Sequence, residues 1–79
     1  KCEVFPNPAV NQITIKSNFR ISTISIKDIS GRTVYTKTCY TKELIANVSF
    51  LSEGIYFITQ VSDEGRNCSS KLVIKKAVE

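Results

Sequence analysis

The stretch "ISIKDISGRTV", residues 24–34, predicts two strands joined by a tight turn. Ile24 and Ile26 alternate with polar residues, which is the period of a strand with one buried face. Asp28 supplies a hydrogen-bond acceptor where the turn begins, and Gly31 can adopt a positive φ. That order suits a type I turn closed by a G1 bulge, a common three-residue hairpin loop. The stretch therefore predicts an antiparallel hairpin.

The same signals recur along the rest of the chain. Residues 62–66, "SDEGR", repeat the order of acceptor and glycine, and Ile13 and Ile15 alternate with polar residues. No window combines a helical period with caps at both ends. We therefore expect an all-β domain, an antiparallel β-sandwich of about seven short strands. The expected strands centre on residues 3–5, 12–16, 21–29, 33–38, 43–50, 55–62 and 66–75.

The length and charge of the chain indicate one small domain and argue against a nucleic-acid-binding protein. The chain has 79 residues, enough for one small domain, and is 42% hydrophobic, enough for a thin core. Its net charge of +4 comes from scattered lysines and arginines, with a cluster at Lys71, Lys75 and Lys76. No aromatic residue is interleaved with that cluster, so charges that protect a solvated edge are favoured over a nucleic-acid site. No apolar run approaches the roughly 20 residues of a membrane helix, so we expect no membrane insertion.

The chain offers no combination of residues typical of a catalytic or metal site. Cys2, Cys39 and Cys68 form no C-x-x-C pair and the chain has no histidine, whereas zinc needs about four close ligands. One disulfide is possible in an oxidising compartment, and the sequence does not say which pair forms it.

The acidic residues of the turns, Asp28, Asp63 and Glu64, have no accompanying nucleophile and base, so we interpret them as turn residues. We expect no catalytic residue, no cofactor and no metal.

A tyrosine corner is predicted by "LSEGIYFITQV", residues 51–61. Gly54 stands two residues before Tyr56, whose hydroxyl in such a corner bonds to the backbone a few residues upstream. The strand that follows has apolar residues on both faces: Ile55, Phe57 and Val61 on one, Tyr56 and Ile58 on the other. This pattern indicates either a central strand or a partner against its outer face.

Two prolines precede the first long strand in "VFPNPAVNQITIK", residues 4–16. Pro6 and Pro8 fix φ and cannot donate a ladder hydrogen bond, and Asn7 is biased to an extended conformation because it precedes Pro8. We expect a stiff, unpaired edge segment.

Taken in order, "FPNPAVNQITI", "ISIKDISGRTV", "LSEGIYFITQV" and "SSKLVIKK" resemble the C-terminal sorting domain of the type IX secretion system (the Por system of Bacteroidetes bacteria), in its type A form. The resemblance runs from Val4 to Lys76. The family's motifs fall on Pro6, Asn7 and Pro8 (Pro-x-Pro), Gly31 and Arg32 (hairpin), Gly54 and Tyr56 (corner), and Lys71, Leu72, Val73, Ile74 and Lys75 (Lys-rich strand).

The resemblance implies that residues 1–79 are a single, non-catalytic, Ig-like signal domain with Greek-key connections. It would direct an N-terminal cargo domain from the periplasm across the outer membrane to the cell surface or the medium. The implied partners are the outer-membrane translocon, its shuttle protein and a sortase, which usually removes the domain and joins the cargo to an anionic lipopolysaccharide. The inner membrane would be crossed with an N-terminal signal elsewhere in a longer chain.

Translocon recognition is predicted at Pro6, Asn7, Pro8, Lys71, Leu72, Val73, Ile74 and Lys75. The last strand would offer unpaired backbone groups for strand addition, with Lys71 and Lys75 steering an acidic partner. The alternative is an Ig- or fibronectin-like accessory binding module, which would need exposed aromatic residues on one face. The chain departs from the family in having three cysteines, in Gln60 at a usually apolar position, and in residues 77–79 beyond the basic end.

Overall fold

The computed structural model describes residues 2–76 and consists of strands joined by turns and loops. The strands are β1 (Cys2–Phe5), β2 (Gln12–Asp28), β3 (Thr33–Asn47), β4 (Gly54–Val61) and β5 (Asn67–Ile74). Every pair of neighbouring strands is antiparallel. The all-β prediction is confirmed, and an Ig-like fold fits it. The predicted extension at residues 77–79 lies outside the described residues.

The prediction of seven strands is wrong, because two long strands each cover two of the predicted ones. β2 has 17 residues and β3 has 15, whereas strands of about 5–6 residues are the commonest. The β2–β3 ladder shifts register between Lys16 and Thr23 but does not end there. A bulge inserts extra residues without ending the pairing, so the lost alternation at residues 17–20 does not mark a loop.

β2 is the strand on which the sheet is assembled. One of its edges pairs with β3 along most of its length, and the other pairs with β1 at residues 14–17 and with β4 at residues 23–28. β5 pairs with β4, which gives the path β1-β2-β4-β5. The two ends of this path are in contact, and a disulfide joins Cys2 of β1 to Cys68 of β5. The sheet therefore folds round so that its terminal strands meet.

The core is lined by the side chains on one face of each strand. Ile13, Ile15, Ile24 and Ile26 are all fully buried, which confirms the period-two prediction. The other buried apolar residues are Ala9, Ile21, Ala46, Val48, Leu51, Tyr56, Ile58, Leu72 and Ile74. Isoleucine dominates because its β-branched side chain is stiff and packs well on a pleated surface.

Both predicted hairpin turns are present. In the first, the Gly31 N–H donates to the Asp28 carbonyl at 3.0 Å, and Gly31 has a φ of 90°. In the second, the Gly65 N–H donates to the Ser62 carbonyl at 3.2 Å, with a φ of 89° at Gly65. An L-residue with a side chain rarely adopts such a φ, so glycine is needed at both positions.

The Asp28 carboxylate closes the first turn. Its Oδ1 accepts hydrogen bonds from the Ser30 hydroxyl at 2.6 Å and from the backbone N–H of Arg32 at 3.0 Å. The Ser30 hydroxyl is the main cause that lowers the pKa of Asp28, because hydrogen bonds to a carboxylate favour its charged form. Ser62 takes this role in the second turn, where its hydroxyl accepts from the backbone N–H of Glu64 and of Arg66.

Candidate recognition surface along β5

The segment that contains the two prolines runs along the outer edge of β5. The Asn7 side chain donates from Nδ2 to the Lys71 carbonyl at 2.8 Å, and its Oδ1 accepts from the Val73 N–H at 2.9 Å. A side-chain amide carries the same donor and acceptor groups as a peptide unit. Asn7 therefore pairs with β5 as a backbone residue would, at a point where the prolines on either side have no N–H to give.

Ala9 extends this pairing by one residue. Its N–H donates to the Val73 carbonyl at 2.8 Å, and its carbonyl accepts from the Lys75 N–H at 2.9 Å. Ala9 and Ile74 form a parallel bridge, and the Ala9 side chain is fully buried. Both X-Pro bonds before it, Phe5-Pro6 and Asn7-Pro8, are cis.

Two expectations about this edge are therefore wrong. The proline segment is paired, because the Asn7 side chain and the Ala9 backbone supply the groups that proline lacks. The backbone of β5 is correspondingly occupied from the Lys71 carbonyl to the Lys75 N–H, so strand addition has no free ladder there. A partner at this edge meets side chains and the proline segment.

The side chains of β5 alternate between solvent and core. Lys71 and Lys75 are exposed, and neither forms an ion pair within residues 2–76. Val73 is half-buried between them, while Leu72 and Ile74 are 0% and 1% exposed and pack in the core. Pro6, Asn7 and Pro8 are exposed. The predicted recognition residues thus form an exposed group and a buried pair.

Lys76 differs from the other lysines of the cluster because its ammonium group is bound by the fold. Its Nζ donates to the Ser49 carbonyl at 3.2 Å and to the Val10 carbonyl at 3.4 Å, and its backbone N–H donates to the Glu53 carboxylate at 3.3 Å. Lys76 therefore binds the end of the described chain to the loop between β1 and β2 and to the loop between β3 and β4.

Tyr56 makes the hydrogen bond expected of a tyrosine corner. Its hydroxyl donates to the Ser52 carbonyl at 2.7 Å and lies 3.2 Å from the Ser52 hydroxyl, and its ring is buried. Gly54 begins β4 and pairs with Ile74. The corner therefore fixes where β4 starts, and β4 in turn positions β5.

A comparison with family models now decides the class of protein. The model of the secretion system C-terminal sorting domain matches residues 3–75, which contain β2 to β5 and nearly all of β1. The chain belongs to this family. The resemblance inferred from the sequence is confirmed: the sorting domain is a type IX secretion signal, and its family is non-catalytic. Such a domain interacts with the type IX machinery and serves export across the outer membrane.

The sorting domain also shares its fold with a solved structure. The crystal structure of CopC from Methylosinus trichosporium OB3b has a TM-score of 0.57 and 15% sequence identity, over 100% of this chain and 98% of that chain. At this identity the likeness concerns the fold alone. A search of the curated proteins found no match.

Three features of the sorting domain escaped the sequence analysis. The first is that the Asn7 side-chain amide pairs with β5 in place of a backbone peptide group. An asparagine between two prolines was the sequence signal for it. The second is the pairing of Cys2 with Cys68, which leaves Cys39 free, with its pKa raised chiefly by burial. The third is that Gln60 is fully buried and its amide atoms have no hydrogen-bond partner among residues 2–76.

Two further observations concern the described part of the chain. No group of three or more His, Cys, Asp or Glu side chains within residues 2–76 is arranged to hold a metal ion. Over the same residues, no helix has the length and apolarity needed to cross a membrane.

Proposed function

We propose that the outer-membrane translocon and its shuttle protein bind this sorting domain at one surface. It is made of Pro6, Asn7 and Pro8 with the side chains of Lys71 and Val73 in β5 and of Lys75 immediately after it. The observation that carries this proposal is the pairing of Asn7 with β5. It joins segments 64 to 66 residues apart in sequence into a single exposed feature. A folded domain can present such a feature without opening.

Leu72 and Ile74 contribute to this surface indirectly. Both side chains are in the core and hold β5 in register with β4, so that Lys71 and Lys75 emerge on the opposite face. Truncating either of them would weaken recognition by loosening the strand.

The remaining steps of the proposed export pathway are those of the family. The cargo lies N-terminal to the sorting domain, passes through the periplasm and reaches the surface or the medium. A surface sortase then cuts before the domain and transfers the cargo to an anionic lipopolysaccharide. Family membership supports these steps. None of the exposed aromatic residues Phe5, Tyr40, Phe50 and Phe57 is paired with another across the sheet, which gives little support to an accessory binding module.

The test is a transplant of the domain. Residues 1–79 are fused to the C-terminus of a fluorescent protein that folds in the periplasm, in a bacterium with a working type IX system. Fluorescence should reach the cell surface or the medium, and should stay in the periplasm of a translocon-deficient strain. A folded fusion retained in the periplasm of the competent strain would contradict the proposal.

A further inference from the structure

The outer face of β4 carries two apolar side chains that are partly exposed. β4 is a central strand, because it pairs with β2 on one edge and with β5 on the other. Its inner face supplies Tyr56 and Ile58 to the core, yet Ile55 and Phe57 on the opposite face are each 43% exposed. A central position alone does not account for apolar side chains left partly exposed on a face on which no other strand within residues 2–76 packs.

The register of the sheet places one lysine on each side of Phe57. Lys27 of β2 pairs with Phe57, and Phe57 pairs in turn with Lys71 of β5. Directly paired residues in antiparallel strands have their side chains on the same face, about 4.5–5.5 Å apart at Cβ. Phe57 therefore lies between two exposed lysines, and the three side chains form one row across three strands.

The neighbouring rows continue the same surface. On one side, Ile55 pairs with Val73, and exposed Lys75 lies one residue beyond the end of β5. On the other side, Thr59 pairs with Ser25 and Ser69, which carry no charge. We call Lys27, Ile55, Phe57, Lys71, Val73 and Lys75 the β4 face.

Among residues 2–76, the lysines of the β4 face have no acidic partner. None of the three forms an ion pair within residues 2–76. The Asp28 carboxylate is held in its own turn by Ser30 and Arg32, and the Glu53 carboxylate accepts from the Lys76 N–H. The charge on this face is therefore available to another molecule.

A lysine elsewhere on the sheet has the opposite surroundings. Lys16 of β2 pairs with Glu3 of β1 and with Glu43 of β3, so its row carries carboxylates on both sides. Opposite charges directly across a sheet stabilise it slightly, so the sheet itself accommodates the charge of Lys16. The row Lys27, Phe57 and Lys71 lacks that arrangement.

We infer that the β4 face is the docking site for an acidic segment of the type IX machinery. An apolar side chain of that segment packs on Phe57 and Ile55, and its carboxylates face Lys27 and Lys71. Binding energy in such contacts concentrates on a desolvated aromatic residue ringed by polar groups, and the surrounding lysines speed encounter with an anionic partner. The inference rests on the proposed function and extends its surface onto β4 and β2.

The β4 face is continuous with the proline segment. Asn7 bonds to the backbone of Lys71 and Val73, so exposed Pro6 and Pro8 lie at the β5 border of this face. One partner segment that crosses the sheet from β2 to residues 6–8 would contact both.

The first experiment uses the fluorescent fusion described above. Phe57→Thr keeps a residue that favours strands and removes the ring, and Lys27→Glu reverses one charge of the row. The matched controls are Ile45→Thr, at a side chain 62% exposed on β3, and Lys37→Glu, at an exposed lysine of β3. Surface fluorescence should fall about tenfold for the two β4-face variants and stay near wild type for the two controls, as expected when one hot-spot contact is lost.

The outcomes separate the inference from the proposed function. Retention of the wild-type fusion would overturn the proposed function. Export of the wild type together with normal export of Phe57→Thr and Lys27→Glu would overturn the docking site alone. If Phe57→Thr fails to fold, the export of Lys27→Glu alone tests the docking site, because this substitution alters only an exposed side chain.

The second experiment measures binding directly. The probe is a synthetic peptide of about ten residues that alternates glutamate with valine, and the control probe has lysine in place of glutamate. Amide shifts in an NMR titration should concentrate at Ile55, Phe57 and Val73 for the acidic probe, weaken as salt rises, and be absent for the basic probe. Shifts confined to β3, or equal shifts with both probes, would overturn the inference.

Discussion

Asn7 accepts a hydrogen bond from the Val73 N–H at 2.9 Å, across 66 residues of sequence. The same side chain donates to the Lys71 carbonyl, so one exposed amide completes the edge of the last strand in both directions. The prolines that flank Asn7 could not do this with their own backbone. A short motif at the start of the domain and a lysine-rich strand at its end are thus one structural unit.

Asn7→Ala removes both of these hydrogen bonds. Because each is worth about 0.5–1.5 kcal/mol and Asn7 is exposed, the free energy of unfolding should fall by about 1–2 kcal/mol. Denaturant unfolding measures it. Asn11→Ala is the control, since no hydrogen bond of that side chain is present in residues 2–76, and it should change little. Equal values for the two variants would show that the Asn7 bonds contribute nothing to stability.

Tyr56→Phe removes only the hydroxyl of the corner. Losing its hydrogen bond to the Ser52 carbonyl should lower the free energy of unfolding by about 0.5–1.5 kcal/mol. Tyr40→Phe, at a side chain 62% exposed, is the matched control and should have no effect. An unchanged denaturant midpoint with an unchanged slope for Tyr56→Phe would refute the corner's contribution.

The disulfide should account for a large part of the stability. Replacing both Cys2 and Cys68 by serine removes a cross-link between residues 66 apart in sequence. The loop-closure entropy of the unfolded chain predicts that the free energy of unfolding falls by about 4 kcal/mol. Thermal melts with and without a reducing agent measure the effect. Reduction should lower the melting temperature of the wild type and of Cys39→Ser alike, and leave that of the double variant unchanged. A response to reductant in the double variant would contradict the pairing.

Gln60→Met should stabilise the sorting domain. The Gln60 amide is buried with no hydrogen-bond partner within residues 2–76, and methionine has a similar length without that polar group. Removing an unsatisfied buried amide should raise the free energy of unfolding by about 1–3 kcal/mol. Gln12→Met, at an exposed position, should have little effect. A loss of stability in Gln60→Met would mean that the amide is solvated or bonded in solution.

Charge reversal at Lys71 and Lys75 should separate export from folding. Both side chains are exposed and without ion pairs in residues 2–76, so the double change to glutamate should shift the melting temperature by only about 3 °C. Surface delivery of the fluorescent fusion should nevertheless be lost. The control is the same reversal at Lys37 and Lys42, two exposed lysines of β3. Normal delivery of the Lys71 and Lys75 variant would refute charge recognition at β5.

The sequence predicts the features that depend on local chemistry. The period of two at Ile24 and Ile26 and the turn chemistry at Asp28 and Gly31 are properties of neighbouring residues, and the fold has them. The length of β2 was not predictable in this way, because a bulge is defined by pairing with another strand.

The candidate site was only partly predictable for the same reason. Its residues were named from the motifs, but the partner of Asn7 lies more than sixty residues away along the chain. Nothing in the composition near position 7 identifies β5 as that partner. Likewise, three cysteines allow three pairings, and only the contact between β1 and β5 selects Cys2 with Cys68.

The disulfide at Cys2 also decides how the sorting domain responds to mechanical tension. Without it, a pull from the N-terminal side would peel β1 away from β2 one residue pair at a time, like a zipper. With it, the pull passes from Cys2 straight into Cys68 and is spread over the ladder between β5 and β4. Tension applied at Cys2 would then act on the sheet as a whole and not on β1 alone.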